Sequence, residues 1–192
     1  MGDDLSVTTG TRVERFLAHL DGLSGGREPQ FWPVESNHPG HHRLTAIGYH
    51  DLPEQGLLTG ITYGLSLARQ EAWIHGRPEL SICVRSADPT WVLAIAYLAD
   101  SLLHDCPFTY GSTINFGEPI SDDSQLDGFV VFAPLVVGPE DSRVDVGDDL
   151  PINIVGMYPT YASERRFISE HGLEAFWTLG WDPYDTSRDA VV

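Results

Sequence analysis

Residues 151–172 constrain the fold more than any other stretch of this 192-residue chain. Ile152, Ile154, Val155 and Met157 form a short apolar run that suits a strand, and Pro159 is expected to break it. A helix is then predicted to start near Thr160 or Tyr161. It should stop at Gly172, which can adopt the left-handed backbone of a helix cap. A strand that feeds straight into a helix calls for a sheet with helices packed on it, and such a sheet needs further strands elsewhere in the chain.

Most of the chain supplies them. Val13, Phe16, Leu17 and Leu20 recur at helical spacing within Thr8–Leu20, with Arg12, Glu14 and Arg15 expected to face away. Phe31, Trp32 and Val34 suit a short strand, and Arg43–His50 a longer one. Leu57–Leu67 alternates as one half-buried strand, with Gly60 and Gly64 allowing close backbone approach or a bulge. Gly76-Arg77-Pro78 reads as a turn before the strand Glu79–Arg85, whose Leu80, Ile82 and Val84 face the core. Asp88-Pro89 opens the clearest helix: Asp88 can cap free N–H groups, and Trp91, Ile95, Leu98 and Leu102 form its buried stripe. Further strands are expected at Thr113–Phe116 and Phe129–Val137, the second apolar enough to be covered on both faces. A last helix spans Leu173–Leu179, and a polar tail starts at Asp182-Pro183. Hairpin-joined strands mixed with helices argue for an α+β fold, a mixed and largely antiparallel sheet flanked by helices. Residues 1–192 read as a single domain with an ordered core of about 8–181 and a polar tail at 182–192.

Charge removes several functions. The chain carries 28 acids against 11 bases, a net charge of -17, and every base is Arg. Without Lys there is no Schiff-base chemistry and no P-loop lysine. The charge repels nucleic acid and anionic membranes and attracts a basic protein. No run approaches the roughly 18 apolar residues of a membrane span. The acidic N-terminus lacks the apolar core of a secretory signal, so a cytoplasmic protein is expected. Met1-Gly2-Asp3-Asp4-Leu5-Ser6 fits the loose N-myristoylation pattern but reads as a plain leader. Cys83 and Cys106 stand alone, and both are expected to be reduced and buried.

Catalytic constellations are thin. His38, His41, His42 and His50, with Glu35 or Asp51, hold the right residue types for a metal-dependent hydrolase, but they lack the helical spacing of a zinc motif. No nucleophile elbow occurs, and no cofactor is expected. A different pattern stands out around the strand Phe129–Val137. Nine acids lie between Glu118 and Asp149, opposed by Arg143 alone. Asp122, Asp123, Asp127, Glu140, Asp141, Asp145, Asp148 and Asp149 are therefore candidate contacts for a basic partner, with Tyr158 and Tyr161 as aromatic anchors.

Several segments occur in an order and spacing that resemble the Suppressor of fused family. They are Gly60-Ile61-Thr62-Tyr63-Gly64-Leu65-Ser66, Arg77-Pro78-Glu79-Leu80-Ser81-Ile82, Gly128-Phe129-Val130-Val131-Phe132-Ala133-Pro134, and Tyr158-Pro159-Thr160-Tyr161 through Glu164 to Gly172, followed by Asp182-Pro183 and Arg188. The resemblance covers roughly Val13–Val191 and implies a domain without catalysis. Animal members clamp an extended peptide of a transcription factor. Compact bacterial members resemble immunity proteins that neutralise a toxin by binding it. The compact length and the absence of Lys favour the bacterial type. The resemblance also implies that Glu79, Tyr158, Tyr161 and Glu164 maintain the fold. The expected function is an immunity-type inhibitor of a basic toxin, possibly a nuclease. Two alternatives stay open: a hydrolase built on His38–His50, and a regulatory adaptor that clamps a peptide.

Overall fold

In a computed structural model, residues 10–36, 38 and 43–192 are described. The elements in chain order are α1 (Arg12–Ser24), β1 (Gln30–Val34), β2 (Leu44–His50), β3 (Leu58–Tyr63), β4 (Arg77–Val84), α2 (Thr90–Ser101), β5 (Thr113–Asn115), β6 (Gly128–Phe132), β7 (Arg143–Val144), β8 (Ile152–Thr160), α3 (Ala162–His171) and α4 (Leu173–Trp177). The eight strands form one sheet in the order β1-β2-β3-β4-β8-β6-β5, with β7 also pairing β8. Every pairing is antiparallel except β4 with β8. The mixed, largely antiparallel α+β architecture is the one expected from the sequence.

Side-chain alternation assigns the two faces of the sheet. Leu80, Ile82, Phe129, Val131, Val155 and Met157 pack with α2 in the main core. Ile47, Ile61, Ile152 and Ile154 point the other way, onto Phe16 and Leu20 of α1. Val130 and Tyr158 share that second face with Ile168 and Phe176, from α3 and α4. The sheet therefore lies between α2 on one side and α1, α3 and α4 on the other, and β6 is covered on both faces as its apolar run suggests. Gly60 lets α2 approach closely. A Cβ there would sit 2.6 Å from Val92.

Several local expectations are corrected. Arg12 does not face away from the body: its guanidinium donates to the Ser66 hydroxyl at 2.7 Å and to Asp148 at 2.8 Å. The run Leu57–Leu67 is not one strand, because β3 ends at Tyr63 and Gly64, at φ 127, leads into a 3-10 turn at Leu65–Leu67. Arg77 and Pro78 are not in a turn but begin β4, and Pro159 does not break β8 but lies inside it. Both prolines are tolerated for the same reason. The Arg77 N–H bonds the Pro151 carbonyl, so the position of Pro78 points away from β8, toward β3, whose pairing with β4 begins only at Ser81. The Pro159 carbonyl turns away from β6 to Arg188, on a side of β8 that β4 no longer reaches beyond Gly156. The apolar run at Phe129–Val137 pairs as a strand only to Phe132.

The polar tail is docked on the body. The Arg85 N–H bonds the Tyr184 carbonyl, and the Ser124 hydroxyl donates to the Thr186 carbonyl. Arg188, with its side chain 7% exposed, forms an ion pair with the fully buried Glu164.

Candidate functional site

The acids singled out in the sequence do not gather on one rim. Asp122 and Asp123 are exposed in the turn before β6, beside the end of β8 where Gly128 pairs Thr160. Glu140, Asp141 and Asp145 are exposed around β7, at the other end of β8, where Val144 pairs Ile152. The length of β8 separates the two groups, so they form two acidic loops.

The remaining candidates have internal partners. Asp127 is bound to Arg165 at 2.8 Å. Asp148 lies between Arg12 at 2.8 Å and Arg77 at 3.3 Å, and Asp149 bonds Arg77 at 2.5 Å. Tyr158 is 6% exposed, donates its hydroxyl to the Ala133 carbonyl, and packs edge-on to Trp177 and Trp181. Burial pushes its phenol pKa well above the ordinary range. Tyr161 is half-buried, and its hydroxyl donates to the Arg188 carbonyl at 2.6 Å. These two tyrosines work in the fold, as the resemblance implied for them.

The histidine cluster is not assembled by the described residues. His41 and His42 lie outside them, as does the Met1–Ser6 leader. His38 bonds the Asp100 carbonyl through Nε2 at 2.9 Å, near the end of α2. His50 pairs Leu58, which pairs Val84, at the end of the sheet where α2 begins. Among the described residues, no group of three His, Cys, Asp or Glu is placed to hold a metal ion. Burial also pushes the Cys83 thiol up to about 11, so it stays protonated and unreactive at neutral pH.

A feature not read from the sequence is a cleft of about 670 Å³. It occupies a notch in the sheet. Along one side of β8, β7 pairs Ile152 and Asn153, and β6 begins only at Gly156. Ile154 and Val155 floor the gap, while Trp73 and Ile74, Phe108 and Tyr110, and Ser142 and Arg143 wall it. Ile74 is 67% exposed and Tyr110 55%. The Trp73 indole is fixed by donating to the Pro107 carbonyl at 3.0 Å, which ties two of the walls together. Among the described residues no Asp or Glu lines the cleft, although the acidic loop bearing Glu140 and Asp141 adjoins it. The signal was hidden because four distant segments contribute to the walls and floor.

A model of the Suppressor of fused protein (SUFU) family matches residues 18–189. The chain is similar to a SUFU homologue from Neisseria gonorrhoeae FA 1090, with TM-score 0.76, 20% identity, and 93% of this chain and 96% of that one covered. It is also similar to Drosophila Suppressor of Fused, with TM-score 0.70 and 11% identity. There 93% of this chain matches 51% of the other, so it spans about half of that protein. A chain of the Sufu–Fu complex matches with TM-score 0.69 and 11% identity, over 94% of this chain and 92% of that one. At these identities the structural likeness concerns the fold. No curated protein matches the chain.

Proposed function

Because this chain belongs to the Suppressor of fused family, we propose that it is a non-catalytic, cytoplasmic protein-binding module that neutralises a basic toxin by occluding it. A similar chain has been crystallised in a protein complex, which supports a protein partner. The observation that carries the finer reading is the exposed set Glu140, Asp141 and Asp145 beside the cleft. None of these side chains is tied up in an ion pair among the described residues, whereas six of the 11 arginines are. An unneutralised acidic loop steers a basic partner toward an apolar surface that can hold it. A nuclease fits this chemistry because its phosphate-binding site is itself basic.

The test is to co-express the product of the adjacent gene, then measure capture, growth rescue and association rate. Replacing Glu140, Asp141 and Asp145 by Lys together should slow association by about tenfold at low salt. An association rate that ignores both salt and these replacements would remove electrostatic steering from the account.

A second reading has its own support. β5 ends the sheet, and Tyr97 (51% exposed) and Tyr110 flank it, so an extended peptide could pair with this edge as an added strand. An isolated segment of the partner binding as tightly as the whole protein would favour this adaptor role over occlusion.

A further inference from the structure

Among the described residues, the cleft of this strongly acidic molecule is lined by no carboxylate. Its charged side chain is Arg143, which is exposed and has no Asp or Glu within ion-pair distance among the described residues. Of the five arginines that form no ion pair among the described residues, Arg143 is the one that lines the cleft. Arg143 and Asn153 are register partners across β7 and β8. Directly opposed residues send their side chains to the same face, and both Arg143 and Asn153 line the cleft, where the Asn153 amide lies against Gly76. Trp73, Ile74, Phe108 and Tyr110 supply apolar and aromatic surface beyond them. The volume, about 670 Å³, falls within the range of cavities that enclose small ligands or the end of a chain.

We propose that this cleft captures the C-terminal residue of a partner polypeptide. An apolar side chain would enter between Trp73 and Tyr110, and the terminal carboxylate would meet the fork of Arg143 and the amide of Asn153. This rests on the protein-binding reading and deepens it. The acidic loop would bring a basic partner close, and the carboxylate-free cleft would then select its last residue. Arg suits this task because its planar donors match a carboxylate two at a time.

The test uses the whole chain and defined probes: the peptide acetyl-Gly-Ser-Gly-Phe, the same peptide with a C-terminal amide, phenylacetate and inorganic phosphate. Calorimetry should find the free-acid peptide about tenfold tighter than the amide, the size expected for one charge-assisted contact. Arg143→Gln should erase that difference. Ile74→Ala should weaken both peptides alike. Amide resonances of Asn153 and Val155 should shift on binding, while those of β5 stay still. Equal binding of acid and amide, or shifts confined to β5, would overturn the proposal. So would phenylacetate binding as tightly as the peptide, since the occupant would then be a small acid. Phosphate competing as strongly as the peptide would reduce the site to a bare anion contact and equally overturn it. If Arg143→Gln leaves capture of an identified partner intact while the acidic-loop variants abolish it, the cleft assignment fails and the protein-binding reading stands.

Discussion

Glu79 and Glu164 are both fully buried, and each accepts four hydrogen bonds, yet they solve the same problem in opposite ways. Glu79 takes its bonds from the Thr62 and Ser66 hydroxyls and from the N–H groups of Gly64 and Ser66, with no cation among the donors. Glu164 takes two from Arg188 and two from the N–H groups of Tyr161 and Val191. Burial pushes the Glu79 carboxyl upward, and its hydroxyl and N–H donors pull against that rise. The first carboxylate fixes a nearby turn, the one that replaces the end of the expected strand at Leu65–Leu67. The second fastens a distant tail, and Arg188 completes the clamp by lying 4.7 Å from the centre of the Trp181 ring and 5.5 Å from that of Tyr161. Local architecture can rest on neutral donors, whereas holding a polar tail on an apolar body takes a full charge pair.

The sharpest way to break this contrast is to remove Glu79. Glu79→Ala strands four buried donors, and a loss of about 5 kcal/mol in urea unfolding is expected. A cost under about 1 kcal/mol would mean that the turn at Leu65–Leu67 stands without it. Next in size is Arg188→Ala, expected to cost about 3 kcal/mol because Glu164 then keeps a buried charge without its partner. The tail should also become cleavable near Tyr184 while the sheet stays folded, which limited proteolysis followed by mass spectrometry would reveal.

A third, smaller effect separates the two sites by pH. A folded-state pKa raised above the unfolded 4.5 means that the native chain holds the Glu79 proton longer. The Glu79 contribution is therefore fully present below 4.5 and declines as pH rises through the folded value. Glu79→Gln should gain stability relative to wild type between pH 4.5 and neutrality, and a parallel pair of stability-pH curves would contradict the assignment. Smallest of all is Arg85→Ala. Its pair with Asp182 at the start of the tail is exposed, so the urea midpoint should not move measurably. A clear loss there would shift the anchoring of the tail away from Glu164.

Much of this organisation was legible in the sequence because it depends on local periodicity and caps. The stripe Trp91–Leu102 and the Asp88 cap predicted α2, and Asp88 does accept the Thr90 N–H at 2.9 Å. Alternation placed Leu80, Ile82 and Val84 in the core, and the helix start expected near Thr160 or Tyr161 lies next to the observed start of α3 at Ala162. The misreadings share a cause, which is that they depend on which strand lies alongside. Pro78 and Pro159 look like breakers until one sees that each faces a side with no neighbouring strand. Gly64 fits an alternating strand until Glu79, from the adjacent strand, captures its N–H. The site was less legible still. The acids fall within one stretch, Glu118–Asp149, but lie at opposite ends of β8, while Trp73, Tyr110, Arg143 and Asn153 are scattered in sequence and converge on one hollow.

The parallel pairing of β4 with β8 also shapes how the chain is made. The two register-partner segments, Arg77–Ser81 and Ile152–Gly156, are separated by the whole of α2, β5, β6 and β7. On the ribosome the first four strands emerge with the inner edge of β4 unpaired, and they wait for about 70 further residues at a synthesis rate of roughly 5–20 residues per second. For those seconds Leu80 and Ile82 flank an open ladder that a neighbouring nascent chain could join. Chaperone demand during synthesis, rather than fragility of the finished molecule, is the burden this topology imposes.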